Sequence, residues 1–187
     1  MKLRQSVELP KSLAFNLKEA HSYASKLGKA LNQFVSIHWG LAPTDDSPQK
    51  RMARMQELMR KWFHYRDETF LIVWVHEQGL SKSLHTHALI HIPDQHQEAF
   101  EAQLERWVGD ALDPKTIDIR HGNSGCIGYI LKDVNPKHYE ALNIRQCHAR
   151  KRSSKSTPIK GKRAGTSQNL GSKARATYAA WCATAGC

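Results

Sequence analysis

The sequence predicts an α+β domain, with helices packed on a central antiparallel sheet, followed by a basic C-terminal arm. Strand-like runs alternate with helical ones along the chain. Two of the strand-like runs, 69–77 and 84–93, are separated by only six residues, so an antiparallel hairpin is their natural connection. With 187 residues the chain is long enough to bury a core. We place the domain at 1–145, and the arm with a terminal helix at 146–187.

The elements of the first half follow from periodicity and turn residues. Residues 11–31 carry apolar side chains at helical spacing, which predicts a helix. Residues 33–39 are β-branched and aromatic up to Gly40 and predict a strand. Ser47 and Pro48 are typical of a helix start, and we expect that helix to end near Tyr65. The next run, 69–77, is almost continuously apolar and predicts a buried strand.

The second half continues the alternation of strands and helices. Pro93 ends the strand of 84–93, and an amphipathic pattern then predicts a helix. A short helix among glycines stops at Asn135-Pro136, and a small helix follows from Lys137. The polar, basic stretch that comes next predicts a loop or arm, and the Ala-rich end predicts a terminal helix. The predicted ranges are helix 94–109, strand 116–121, short helix 124–134, arm 146–170 and terminal helix 172–185.

The charge of the chain is concentrated at one end and predicts a nucleic-acid partner. The formal net charge is +11, the last acidic residue is Glu140, and ten Lys and Arg residues follow it. An uncompensated basic block is typical of proteins that contact a phosphate backbone, although a solvated tail would look the same. The DNA-contact candidates are Arg145, Arg150, Lys151, Arg152, Lys155, Lys160, Lys162 and Arg163.

Hydropathy and cysteine usage favour a cytoplasmic protein with no membrane partner. No apolar run approaches the length of a membrane span, and the N-terminal residues lack the apolar stretch of a signal peptide. The four cysteines include no CxxC pair, so we interpret them as reduced thiols. A zinc site from Cys147, His148, Cys182 and Cys187 fits no common spacing.

A candidate metal site lies on the predicted hairpin. His85 and His87 are two positions apart on a strand, so their side chains share a face of the sheet. Glu77 ends the preceding strand, and the hairpin would bring its carboxylate level with the two imidazoles. Two imidazoles, one carboxylate and water suit Mg²⁺ or Mn²⁺. Each of these residues taken alone has an ordinary structural interpretation. The hypothesis of a metal site depends on their occurring together, in this order and at this spacing.

A candidate nucleophile lies on the short helix. Tyr129 and Lys132 are three positions apart and would share a helix face, so a phenol and an ammonium group would approach the metal together. Tyr139 is a rival nucleophile, but it follows Pro136 and has no lysine three positions later.

These residues resemble the motifs of the HUH endonucleases, specifically the one-tyrosine initiators of rolling-circle replication. The resemblance covers about residues 33–135 through three ordered motifs: the apolar strand 34–39, the histidine pair 85–87, and Tyr-x-x-Lys at 129–132. It implies a ferredoxin-like HUH fold, a metal held by His85, His87 and Glu77, and catalysis by Tyr129 with Lys132. It departs from the family at Thr86, where a bulky hydrophobic residue is usual.

The resemblance implies a metal-dependent enzyme that nicks and rejoins single-stranded DNA at an origin or hairpin sequence. Tyr129 would form a 5′-phosphotyrosine link, and Lys132 would favour its attack or neutralise the charge on phosphorus. No Walker-type motif is present, so an initiator of this kind would use a host helicase. The open alternatives are a one-tyrosine transposase or relaxase, and a DNA-binding module in which the histidines are inert. A histidine phosphoesterase would need a second His-x-Thr, which does not occur.

Overall fold

A computed structural model describes residues 5–41, 46–78, 83–109, 113–145 and 157–185. Within these ranges the protein is α+β, with a five-stranded antiparallel sheet between two layers of helices. No helix there combines the length and the hydropathy that crossing a membrane would require.

The helices and strands follow the predicted order, with shorter bounds at several ends. The strands are β1 Gln5–Ser6, β2 Gln33–His38, β3 Ile72–Glu77, β4 His85–Ile90, β5 Ile117–His121, β6 Ile159–Lys160 and β7 Ala164–Thr166. The helices are α1 Lys11–Lys26, α2 Pro48–His64, α3 Gln97–Val108, α4 Cys126–Ile130, α5 Tyr139–Leu142 and α6 Ser172–Ala185. Ser47 caps α2 as its sequence predicts, because its side chain accepts a hydrogen bond from the backbone N–H of Lys50.

The predicted hairpin is present and β4 is the central strand of the sheet. The strand order is β5-β2-β4-β3-β7, with every neighbouring pair antiparallel. Glu77 is paired with His85 across the hairpin, as expected. On the other side of β4, Ser36 is paired with His87 and His38 with His85. Residues that face each other across antiparallel strands lie on the same side of a sheet, so these five side chains share one face.

Each face of the sheet has its own hydrophobic core. Helices α2 and α3 cover one face, where Phe63, Trp74 and Phe100 are buried. Helices α1, α4 and α5 cover the other, with Leu17, Leu89 and Ile130 buried between them and the strands. Alternation along β4 sends Ala88 to the first core and Leu89 to the second. The histidine pair therefore lies on the face under α1 and α4, which we call the site face.

The C-terminal part of the chain completes the sheet, which differs from the predicted arm. We expected a loop or arm over 146–170; residues 146–156 lie outside the described ranges, but 159–160 and 164–166 are strands. Strand β6 pairs with β1, and β7 pairs with β3 as the fifth strand of the sheet. The side chain of Ile159 is buried in the core under α2. The boundary predicted at 145 therefore does not separate a domain from an appended arm, because strands on both sides of it form one sheet.

Helix α4 is shorter than the 124–134 expected from the sequence. It ends at Ile130, and a turn that includes a hydrogen bond of 3.3 Å from the Lys132 N–H to the Tyr129 carbonyl follows it. Tyr129 is thus in the last turn of the helix, while Lys132 lies just beyond its end.

Candidate functional site

The site face carries two rows of polar side chains that cross the sheet. The first row runs His38, His85, Glu77 from β2 through β4 to β3. The second row contains Ser36 and His87 one pleat further along. Sheet register therefore brings all three predicted metal ligands to one face, at the end of the sheet where β3 stops.

His87 is held by a hydrogen bond at each ring nitrogen. Its Nδ1 lies 2.8 Å from Ser36 Oγ, and its Nε2 lies 3.2 Å from Glu77 Oε2. Burial lowers the pKa of His87, although the hydrogen bond to Glu77 opposes that shift. At neutral pH a neutral imidazole satisfies both contacts if Nε2–H donates to Glu77 and Nδ1 accepts from Ser36. A hydroxyl group also accepts hydrogen bonds, so Ser36 is able to pair with the other tautomer as well, but Nε2 would then have no proton to donate to the ionised Glu77.

Glu77 is ionised and shared between two partners. The Lys132 ammonium group donates to the same Oε2 atom that contacts His87. Burial alone would raise the pKa of this carboxyl, but the hydrogen bond from His87 and the charge and hydrogen bond of Lys132 outweigh it and lower the pKa to about 2. A fully ionised carboxylate beside a neutral imidazole is the state that binds a cation.

Tyr129 projects from α4 onto His87. The two rings meet edge to face with centroids 5.3 Å apart, and Phe34 contacts Tyr129 in the same way at 5.7 Å. The Lys132 Nζ lies 4.0 Å from the centroid of the Tyr129 ring. The structure therefore brings Tyr129, Lys132, Glu77 and His87 together, from a helix end and two strands.

The rival nucleophile Tyr139 has a different environment. Its hydroxyl donates a hydrogen bond of 2.6 Å to the backbone carbonyl of Lys132, the residue whose side chain contacts Glu77. Tyr139 therefore holds the backbone of the site, and its hydroxyl faces that backbone. This contact ranks it below Tyr129 as a candidate nucleophile.

The residue between the two histidines serves the opposite face of the sheet. Thr86 is fully buried, and its hydroxyl lies 2.6 Å from Trp39 Nε1 and 2.7 Å from His76 Nδ1. Burial and the nearby charge of Arg163 lower the pKa of His76 to about 4, so its ring is neutral at pH 7. A hydroxyl can accept from the indole while it bonds the imidazole, whereas a bulky hydrophobic residue would offer neither ring a hydrogen bond. This gives a physical reason for Thr86 between the two histidines.

Arg163, predicted to contact DNA, is instead a buried structural residue. It is 3% exposed, and its Nη2 lies 2.8 Å from Asp133 Oδ2. Its Nη1 donates to the carbonyls of Ser6 and Val7 at 2.9 and 2.8 Å. Its guanidinium therefore makes its contacts inside the protein. It connects the chain just before β7 to Asp133 and to the backbone at the end of β1.

The other predicted DNA contacts divide into those that the structure describes and those that it does not. Arg150, Lys151, Arg152 and Lys155 lie outside the described residues. Arg145 is exposed and lies beside Gly125, immediately before α4. Lys160 and Lys162 are exposed too, and Lys162 Nζ lies 5.4 Å from the Trp74 ring.

Sequence reasoning missed four polar residues on the site face, Ser36, His38, Asp118 and Arg120. Ser36 and His38 belong to the strand that was singled out only for its apolar pattern, yet the ring of His38 lies 4.1 Å from that of His85. Arg120 on β5 lies on the same face, and a hydrogen bond to Asp118 and the charge of that carboxylate raise the pKa of Arg120. The alternation of side chains along β2 and β5 could have indicated these residues. It assigns them to the site face only when the order of the strands in the sheet is known, and the sequence alone does not give that order.

The chemical types of the candidate ligands suit a hard divalent cation, but the side chains do not surround a common point at which an ion could sit. Glu77, His85 and His87 offer one carboxylate and two imidazoles from a rigid sheet. Among the described residues, however, no three His, Cys, Asp or Glu side chains are grouped so that they could hold a metal ion as they stand. Glu77 and His87 are in contact with each other, and the ammonium of Lys132 lies on the carboxylate.

Comparisons with family models, with curated proteins and with solved structures found no match for this chain.

Proposed function

We propose that the protein nicks and rejoins single-stranded DNA with Tyr129 as the nucleophile, as an HUH-type initiator of rolling-circle replication on a plasmid or phage. One observation carries the proposal: a phenol, an ammonium, a carboxylate and an imidazole from three separate elements lie in contact on the site face. Such a group of polar residues is costly to bury, and it supplies the parts that phosphoryl transfer to a tyrosine requires.

The bond changes balance within a single exchange at phosphorus. The Tyr129 oxygen forms a bond to the scissile phosphorus as the bond from phosphorus to the 3′-oxygen breaks. The phenol loses its proton, the 3′-oxygen gains one, and the 5′-phosphate stays on the tyrosine. Because one phosphodiester replaces another, the reverse exchange rejoins the strand.

Each site residue has a defined part in this proposal. His85, His87 and Glu77 would hold Mg²⁺ or Mn²⁺, which supplies neutralising charge to the phosphate oxygens when bound. Ser36 orients His87 through Nδ1. Lys132 places a positive charge beside Tyr129, and the exposed Arg145 extends the positive surface next to α4. The single-stranded DNA partner and the host helicase belong to this proposal as well.

Covalent capture tests the proposal directly. The full-length protein is incubated with a pool of labelled single-stranded oligonucleotides and Mn²⁺, and covalent adducts are separated on a denaturing gel. We expect an adduct whose labelled peptide contains Tyr129, and we expect both EDTA and the double variant His85→Ala/His87→Ala to abolish it. Oligonucleotide binding with no adduct, and with no effect of EDTA, would instead identify a non-catalytic DNA-binding module.

The substrate that yields the adduct distinguishes the related enzymes. An initiator selects an origin or origin hairpin, whereas a transposase or relaxase forms the same link on the end or transfer site of its own element. Sequencing the oligonucleotides recovered from the adduct therefore separates these alternatives.

A further inference from the structure

The carboxylate of the site is already paired with a cation of the chain itself. Lys132 is 2% exposed, and its ammonium group donates to Glu77 Oε2. A buried ammonium is costly unless a charge and hydrogen bonds compensate it, and Glu77 supplies both. Lys132 also contacts the Tyr129 ring, 4.0 Å from its centroid. The lysine therefore stands between a predicted metal ligand and the predicted nucleophile.

The backbone at Lys132 and Asp133 is hydrogen-bonded to neighbouring segments, while the Lys132 side chain contacts two different groups. The Tyr139 hydroxyl donates to the Lys132 carbonyl at 2.6 Å, and the Leu9 N–H donates to the Asp133 carbonyl at 3.1 Å. The Asp133 side chain is held by Arg163. With its backbone held on both sides, Lys132 has two partners within reach, the carboxylate of Glu77 and the face of Tyr129.

We propose that Lys132 and a divalent cation exclude each other at Glu77, so that cation binding releases the ammonium group from the carboxylate to Tyr129. Two positive groups on one carboxylate oxygen repel each other strongly in a poorly solvated site. The lysine thus keeps the empty site charge-balanced, and it becomes fully available to the nucleophile only when the cation is bound. This inference rests on the proposed function, in which Glu77 is a metal ligand.

Cation affinity is the readout, measured by calorimetric titration of the full-length protein with Mn²⁺ in the absence of DNA. Lys132→Met removes the competitor, so we expect Mn²⁺ to bind about tenfold tighter or more, the direction that removal of a nearby like charge produces. Lys132→Arg keeps the charge and should bind Mn²⁺ no more tightly than the wild type. Lys29→Met is the matched control, because Lys29 forms an ion pair with Glu68 (3.5 Å between Nζ and Oε2) outside the site. The Mn²⁺ affinity of this variant should equal that of the wild type.

A double-mutant cycle tests whether Lys132 acts through Glu77. In a Glu77→Gln background the carboxylate is absent, so Lys132→Met should lose most of its effect on Mn²⁺ affinity. Should Lys132→Met fail to fold, Lys132→Gln removes the charge while keeping a hydrogen-bond donor, and the same increase is expected.

The results separate failure of the inference from failure of the proposed function. Normal Mn²⁺ binding that is unchanged or weakened by loss of the Lys132 charge overturns the inference alone. An increase that persists in full in the Glu77→Gln background also overturns it, because Lys132 would then act independently of that carboxylate. No Mn²⁺ binding by the wild type or by any variant overturns the metal site and the inference together.

Discussion

Replacing Arg163 by methionine should destabilise the whole domain and leave single-stranded DNA contacts largely intact. The guanidinium lies 2.8 Å from Asp133, and the two side chains are 2% and 4% exposed. Removal of one partner of a buried ion pair costs about 3–5 kcal/mol, because the other charge stays buried without compensation. The variant also loses the hydrogen bonds to the Ser6 and Val7 carbonyls. We expect a loss near the middle of that range, about 4 kcal/mol, which lowers the melting temperature by about 10 °C in a protein of this size.

The assay is urea and thermal unfolding followed by circular dichroism, with oligonucleotide affinity measured at several salt concentrations. Lys162→Met is the matched control, since Lys162 is the exposed neighbour of Arg163 and its loss should change stability by less than about 0.5 kcal/mol. In Arg163→Met/Asp133→Leu no buried charge is left unpaired, so the double variant should be more stable than Arg163→Met alone. If Arg163→Met melted like the wild type and its DNA binding became less salt-dependent, Arg163 would be a phosphate contact and the buried pair unimportant.

Three further predictions concern the site itself. Tyr129→Phe should abolish the covalent adduct on denaturing gels while oligonucleotide affinity stays the same, and Tyr139→Phe should retain the adduct; the opposite pattern would move the nucleophile to Tyr139. Ser36→Ala removes the partner of His87 Nδ1, so Mn²⁺ affinity measured by calorimetry should fall about tenfold, and an unchanged affinity would exclude that supporting role. The folded pKa of Glu77 is about 2, below its ordinary 4.5, so its ionisation stabilises the fold above about pH 4.5 and that contribution disappears as the pH falls toward 2. The difference in unfolding free energy between wild type and Glu77→Gln should therefore shrink over that range, and a difference independent of pH would contradict the assignment.

The pairing of the site strands could be predicted from sequence because it depends on local rules. Alternation places His85 and His87 on one face, and the short link to β3 fixes an antiparallel partner for them. The expectation that the hairpin brings Glu77 level with the two histidines is confirmed by its pairing with His85. The partnership between Ser36 and His87 could not be predicted, because it requires knowing that β2 lies beside β4, a contact between segments about 50 residues apart in the sequence.

The role of the C-terminal segment could not be predicted because its signals are not local. Strand β7 reads Ala-Gly-Thr and has no apolar alternation, so its position depends on pairing with β3. Gly165 admits the indole of Trp74, whose Nε1 lies 3.2 Å from where a Cβ would stand. Arg163 counted as a DNA contact because charge was summed along the chain, while its acidic partner Asp133 lies 30 residues earlier. Summed charge measures the electrostatic field of a segment and cannot show which cations are neutralised inside the fold.

The pairing of β7 with β3 has a consequence for synthesis of the chain. During translation β3, which ends at Glu77, is made long before β7. The edge of β3 that faces away from β4 therefore has no partner strand until residues 164–166 have left the ribosome. Pairing of β7 with β3 is slow compared with formation of the β3–β4 hairpin, because contacts between segments distant in the sequence have the larger entropic cost of loop closure. A nascent chain that already contains Tyr129 and both histidines still lacks Arg163 and the last strand. The sheet that carries the site face is therefore completed only after residues 163–166 have been made.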